Sequence, residues 1–253
     1  MRIDLNADIG EASGREPASH DAALVRIITS ANIACGFHAG EPVTIAETIR
    51  LAASRGVAIG AHPGFRDPSG FGRREIDATP DEIRALVLYQ LGAFDALAKT
   101  HGATPLHVKP HGALYNMAAR RKDVADAIAF AVASFDRSLC LVGLAGSELL
   151  SAATRAGIRS AAEGFADRSY EPDGTLTPRS QPDAVIIDPA RVTDRAVRMA
   201  KDGTIEARDG SVLTVKIDTI CVHGDTPEAE KVAAAVRAGL EKAGVTVAAL
   251  TTD

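Results

Sequence analysis

The sequence predicts an α/β protein whose parallel strands close into a barrel, and three observations carry that reading. About seven short apolar strands recur along the chain, nearly all followed by a helical stretch, as in a parallel sheet joined by crossover helices. Six of those strands finish in a polar cluster set by Gly or Pro: DLNADIGE (Asp4 to Glu11), ANIACGFHAG (Ala31 to Gly40), AIGAHPGF (Ala58 to Phe65), HVKPHGALYN (His107 to Asn116), AAEGFADRSY (Ala161 to Tyr170) and TICVHGDTP (Thr219 to Pro227). An open doubly wound sheet focuses one or two strand ends at its switch point, whereas a closed barrel gathers every strand end at one rim, so six polar ends favour closure. Neither GxGxxG nor GxxxxGK followed by Ser or Thr occurs, which argues against the nucleotide-binding open sheet.

In chain order, Arg2 to Asp8 alternates Ile3, Leu5 and Ala7 with polar neighbours and breaks at Gly10, a first strand with Asn6, Asp8 and Glu11 at its end. Ser19 caps a helix whose Ala22, Leu24, Val25 and Ile28 share one face. The second strand, Ala31 to Cys35, leaves through the glycine-bracketed Gly36 to Gly40, and Pro42 opens a helix over Val43 to Ser54. Val57 to Ala61 is the third strand, ending at His62, Pro63 and Gly64. Residues 65–78 are too long for a simple connection and too rich in Gly, Pro and Arg for core, the composition of a lid or a partner surface. Thr79, Pro80 and Glu82 form a capping box for a long helix through Tyr89, Leu91 and Leu97.

The strand around Leu106 and Val108 stops at Pro110, and Gly112 permits a sharp turn before a helix. A helix from about Arg120 to Ser134, a strand over Leu139 to Leu144, a helix over Gly146 to Ala156 and a strand over Ile158 to Phe165 follow. Residues 168–182 turn polar, a second long loop holding Tyr170, Asp173 and Arg179. Asp188 to Met199 reads as helix, and residues 205–215 as a hairpin insertion turning at Asp209 and Gly210. Ile220 to His223 is the last core strand, and Thr226 with Pro227 caps a terminal helix rich in Ala and Val. With no repeat and no low-complexity segment, residues 1–253 read as a single barrel domain.

Composition bounds the rest. At 253 residues and 46% hydrophobic content the chain can bury a full core. Lys plus Arg is 28 against 33 for Asp plus Glu, a net charge of -5 that offers no general attraction for nucleic acid. Cys35, Cys140 and Cys221 are scattered, without a CxxC pair, and fit core positions in a reducing cytosol. Met1 leads straight into a strand, and no apolar run reaches spanning length, so a soluble cytoplasmic protein is expected.

The blocks DLNADIGE, ANIACGFHAG, AHPGF, HVKPHGALYN, EGFADRSY, LTPRS and CVHGDTP, in this order from Asp4 to the last helix, resemble the LamB/YcsF family. That resemblance implies an irregular seven-stranded (β/α) barrel similar to glycoside hydrolase and deacetylase barrels. It also implies the role of the A subunit of ATP-dependent 5-oxoprolinase. The reaction is hydrolytic opening of 5-oxo-L-proline to L-glutamate with ATP as cosubstrate, beside separate subunits B and C.

Individual residues each admit two roles. Asp8 is a general base or metal ligand, or else it caps the next helix or pairs with a lysine. Glu163 lies within an apolar strand, where an unpaired carboxylate is costly, so it has a buried partner such as Lys109 or Arg168 or it is a tuned acid. His38, His62, His111 and His223 each end a different strand beside Gly or Pro, and four imidazoles at one rim point to a site for proton transfer or metal. His107 sits earlier in its strand, as a core histidine would, while His20 and His101 fall on helices or their ends, at the surface. A divalent metal at these ends needs ligands from separate strands. Lys109 and Arg168 are anion partners, or salt-bridge partners of Glu163 or Asp167. Arg73 and Arg74 close on a substrate or are simply solvated.

For a lactam, this assigns water activation to Asp8 or Glu163 and protonation of the ring nitrogen to His111 or His62. Lys109 and Arg168 hold negative groups, and Asn6, His38 and His223 complete the substrate site. Without a P-loop in this chain, nucleotide activation depends on the partner subunits. Two other readings compete: a self-sufficient metal-dependent amidohydrolase or deacetylase using Asp8 with two histidines, and a noncatalytic binding subunit.

Overall fold

The computed structural model describes residues 1–12, 19–222 and 229–251, the side chains of residues 19 and 20 excepted. Six strands come first: β1 (Arg2–Ile9), β2 (Ser30–Ala34), β3 (Ala58–His62), β4 (His107–Val108), β5 (Cys140–Leu144) and β6 (Ser160–Phe165). A hairpin of β7 (Thr204–Glu206) and β8 (Val212–Thr214) follows, then β9 (Thr219–Val222) and a two-residue β10 (Thr246–Val247). β1 to β6 pair in sequence and in parallel, β6 pairs with β9, and β9 pairs back to β1. The result is a closed seven-stranded parallel barrel, as the polar strand ends require. β7 and β8 form a separate antiparallel sheet, so the hairpin is an insertion.

Helices α1 (Ser19–Leu24), α2 (Pro42–Ser54), α3 (Pro80–Thr100), α4 (Gly112–Arg120), α5 (Lys122–Phe135), α6 (Glu148–Ala156), α7 (Pro189–Asp202) and α8 (Ala229–Lys242) connect the strands. The capping box forms at α3: Thr79 Oγ1 accepts from the Glu82 amide, and the Glu82 carboxylate accepts from the Thr79 amide at 2.8 Å.

The alternation in β1 has a consequence set by strand geometry. Residues two apart share a face, so Ile3, Leu5, Ala7 and Ile9 join the apolar core while Asp4, Asn6 and Asp8 line the barrel interior. All three polar residues are buried, with hydrogen bonds reaching β2, β6 and β9. Asp4 accepts from Ser30 Oγ at 2.7 Å and Thr219 Oγ1 at 2.6 Å, and burial raises its pKa above the usual aspartate value. A barrel interior normally filled by branched apolar residues is here a hydrogen-bonded polar network. Gly60 on β3 is required by it, because a Cβ there would lie 2.2 Å from the ring of His107. The three cysteines are buried free thiols, and burial pushes Cys35 up to about 12.

Three departures from the sequence reading stand out. The helix expected from about Arg120 is two helices, α4 starting at Gly112 and α5 at Lys122, separated by an extended Arg121 (φ -108°, ψ 113°) with no Pro or Gly to mark it. The region 65–78 is not wholly surface: Phe65, Asp67 and Gly72 are buried, and only its later part is predominantly exposed. β10 extends the sheet from the start of β1, at Arg2 and Ile3, and is too short to read from its pattern. The expected cap at Thr226 and Pro227 lies outside the described residues. Among the described residues no helix is long and apolar enough to cross a membrane.

Candidate active site at the barrel rim

Two polar layers meet where β1, β3, β4 and β6 end. The inner layer is centred on Lys109, which directly follows β4 and is 2% exposed. Its Nζ lies 2.8 Å from Glu163 Oε1, 3.0 Å from Asp8 Oδ1 and 3.1 Å from Cys221 Sγ. Burial by itself lowers the ammonium pKa, but Asp8, Cys221 and Glu163 outweigh it and hold Lys109 well above the ordinary lysine value. Glu163, on β6 and fully buried, also accepts from Asn6 Nδ2 at 3.0 Å and from Tyr115 OH at 2.8 Å. Asn32 Nδ2 donates to Asp8 Oδ1 at 2.8 Å and to Asn6 Oδ1 at 2.7 Å, and His107 Nε2 donates to Asn32 Oδ1 at 2.7 Å. Burial, then Lys109 and His62, lower His107 to about 3, so it is a neutral support of the network.

The outer layer is a histidine cluster with Glu11. His62, the last residue of β3, places Nδ1 2.7 Å from the carbonyl of Lys109 and Nε2 3.5 Å from Asp8 Oδ2. His111, at the N-terminus of α4, places Nε2 2.8 Å from the carbonyl of Phe71 and Nδ1 2.9 Å from His62 Nε2. His38 stacks on His111 with ring centroids 3.8 Å apart and faces Glu11 Oε1 through Nε2 at 3.2 Å. Burial, then the neighbouring imidazoles, hold His38 and His111 well below the usual histidine value. Glu11, His38, His62 and His111 present ligand atoms that all lie within 4.8 Å of one another, a grouping able to hold a metal ion. Gly112, at φ 55°, brings α4 against the backbone of Gly72, so the region 65–78 walls this cluster.

Both layers open into one cavity of about 830 Å³, lined by Asp8, Glu11, His62, Lys109 and His111 and, from the two long loops, by Arg73 and Arg179. A second cavity, of about 730 Å³, lies against α7 and the hairpin and shares none of these residues.

The structure therefore brings together Asn6, Asp8, His38, His62, Lys109, His111 and Glu163. Arg168 also lines the cavity, yet its guanidinium donates to the carbonyls of Thr177 at 2.6 Å and Ala184 at 3.1 Å, and the buried partner of Glu163 is Lys109. Burial lowers Arg168 to about 10. His223 lies outside the described residues. Sequence reasoning misses Glu11, Tyr115 and Asn32 as site residues. Glu11 stands at the strand end without an assigned role, and Tyr115 is lost with the first turns of α4. Asn32 carries a readable signal, an amide between apolar residues of a buried strand.

The LamB/YcsF family profile matches residues 3–253. A curated relative from Methylococcus capsulatus, named as the A subunit of 5-oxoprolinase, is 54% identical over 248 residues, covering 98% of this chain and 95% of its own. The crystal structure of a lactam utilization protein from Thermus thermophilus superposes with a TM-score of 0.92 at 49% identity, covering 99% of this chain and 100% of the other. The catalytic domain of a peptidoglycan N-acetylglucosamine deacetylase from Eubacterium rectale, at 11% identity and a TM-score of 0.52 over 99% of this chain and 89% of the other, shares the barrel fold alone. A closed seven-stranded barrel and a match over nearly the whole chain place this protein in the LamB/YcsF family.

Proposed function

We propose that this chain is the A subunit of a cytoplasmic ATP-dependent 5-oxoprolinase, acting as one barrel domain that opens 5-oxo-L-proline to L-glutamate beside subunits B and C. The observation that carries the reading is the buried Asp8–Lys109–Glu163 cluster, whose Asp8 and Lys109 line the 830 Å³ cavity. The names of the relatives supply the substrate class.

A five-membered lactam resists hydrolysis because its amide is resonance-stabilised and its nitrogen leaves poorly. Phosphorylation of the amide oxygen by ATP removes that resonance, and with no P-loop in this chain the partner subunits carry out that step. The activated carbon then accepts water, the ring C–N bond breaks to leave an acyl phosphate, and a second water releases inorganic phosphate to give the free carboxylate of L-glutamate. Glu163 is saturated by Lys109, Asn6 and Tyr115 and fully buried, so it positions the ammonium. Asp8 reaches the cavity and takes the proton from water. His62 and His111 spend their ring N–H groups on the carbonyls of Lys109 and Phe71, so the proton for the departing ring nitrogen comes back from Asp8. Lys109 stabilises negative charge developing on the oxygen.

The test is glutamate release from 5-oxoproline with ATP by this chain alone, by subunits B and C alone, and by the mixture. Activity confined to the mixture and lost with Asp8→Asn supports the proposal. Turnover by the chain alone without ATP refutes the coupled reaction, and turnover that survives Asp8→Asn makes this a binding subunit.

A further inference from the structure

We propose that Glu11, His62 and His111 form a three-ligand site for a divalent transition-metal ion at the cavity mouth, with His38 holding the Glu11 carboxylate in place. The hydrogen-bonding capacity of each ring fixes its protons. A carbonyl oxygen only accepts, so His62 Nδ1, 2.7 Å from the carbonyl of Lys109, and His111 Nε2, 2.8 Å from that of Phe71, both carry hydrogen. In the neutral rings the other two nitrogens are then lone pairs. Those nitrogens, His62 Nε2 and His111 Nδ1, face each other at 2.9 Å.

Two acceptors at that distance repel unless something positive bridges them. Glu11 Oε1 brings a third acceptor to within 3.4 Å of His111 Nδ1. A shared proton bridges the two nitrogens alone, whereas one cation takes both nitrogens and the carboxylate oxygen as ligands.

Geometry selects the ligands. In a tetrahedral site with bonds of about 2.0–2.1 Å, neighbouring ligand atoms lie about 3.3 Å apart, close to the 2.9 Å between the two nitrogens and the 3.4 Å from His111 Nδ1 to Glu11 Oε1. The rings of His62 and His111 cross at 88°, so their lone pairs approach one point from different directions. His38 is parallel to His111 within 4°, so an ion in the plane of His111 falls outside the plane of His38. Its Nε2 reaches Glu11 Oε1 at 3.2 Å instead, while its Nδ1 has no partner among the described residues. The outward N–H of each ligating ring is fixed by a backbone carbonyl, the support that metal-binding histidines usually have.

Two imidazoles and one carboxylate opening on a cavity are the donor set of catalytic zinc sites and suit zinc or cobalt better than magnesium or calcium. Bound there, such an ion polarises a carbonyl or phosphoryl oxygen or acidifies a water molecule. A metal site stands apart from the lactam reading, because its test needs no substrate.

The full chain is stripped with a chelator, incubated with Zn2+ or Co2+, and separated from unbound metal. Retention of about one equivalent, with visible d–d absorption for Co2+, is the expected result for a three-ligand site. His62→Ala and His111→Ala abolish retention, and His38→Ala weakens binding by about 10–100-fold, as loss of an orienting partner does. Circular dichroism establishes that each variant is folded. Should they unfold, 15N histidine NMR of the unaltered chain decides: zinc shifts His62 Nε2 and His111 Nδ1 and leaves His101 and His107 unmoved. No retained metal, retention unaffected in folded His62 and His111 variants, or histidine spectra unchanged by zinc would each overturn the proposal.

Discussion

Replacing Lys109 by Met tests the inner layer most directly, because it keeps much of the side-chain volume and deletes the charge. The ammonium contacts Glu163 at 2.8 Å and Asp8 at 3.0 Å, and both carboxylates are buried. Leaving a buried charge without its partner costs about 3–5 kcal/mol, far more than the volume change. For a domain of this size about 1 kcal/mol moves the melting point by roughly 2–4 °C, so a drop of about 6–20 °C is expected. Lys109→Met with Glu163→Gln removes one of the stranded charges and should recover part of that loss. The double-mutant cycle, read from urea denaturation monitored by circular dichroism, should give a coupling of about 0.5–3 kcal/mol. A Lys109→Met variant within about 1 kcal/mol of the unaltered chain would refute the idea that the ion cluster organises this barrel.

Three smaller perturbations probe other links. Gly60→Ala drives a Cβ to 2.2 Å from the His107 ring and should cost about 1–3 kcal/mol in a denaturation curve, with relief when His107→Ala is added. Tyr115→Phe removes the 2.8 Å donor to Glu163 and should cost about 1.5–3 kcal/mol, since the carboxylate loses one of its partners without gaining water. Asp8→Asn in the reconstituted complex should lower kcat by about 10²–10⁴-fold with little change in KM, and a KM effect alone would assign Asp8 to binding.

Much of the barrel is legible in the sequence because its signals are local. Alternation in Arg2 to Asp8, apolar runs at the other strands, and Thr79 with Glu82 at the start of α3 each reflect a preference that neighbouring residues enforce. The rim is legible from His62 and His111, which sit beside Pro and Gly where strands stop. What stays hidden depends on tertiary contact. Nothing in the sequence marks Arg121 as a break, because the chain turns there to pack α4 and α5 separately, and Tyr115 reaches Glu163 only once α4 exists. Arg168 looks like an anion partner by type, yet the turn of its own loop supplies the carbonyls that take its donors. Glu11 lacks any periodic signal, being a residue beyond the strand whose partners come from β3, α4 and the turn after β2.

A barrel that fills its centre with Asp4, Asn6, Asp8, Asn32, Lys109 and Glu163 gives up the branched apolar layers that usually hold such folds together. Its stability must then come from the outer shell, where Ile3, Leu5, Ile33 and Ile59 on the strands join Ile49, Phe94, Val132 and Val236 on the helices in one apolar cluster. That division has a functional return. Each interior carboxylate and amide is fixed by two or more partners before any ligand arrives, so in the proposed reaction Asp8 and Lys109 would meet the substrate already oriented, with little reorganisation left. It also predicts a separation of effects. Truncations in the outer shell, such as Ile49→Ala or Val236→Ala, should lower stability with turnover per folded molecule preserved, whereas isosteric changes inside, such as Asn6→Asp, should lower turnover even where the fold survives. Equal loss of both properties from either shell would mean that the interior network does not preorganise the site.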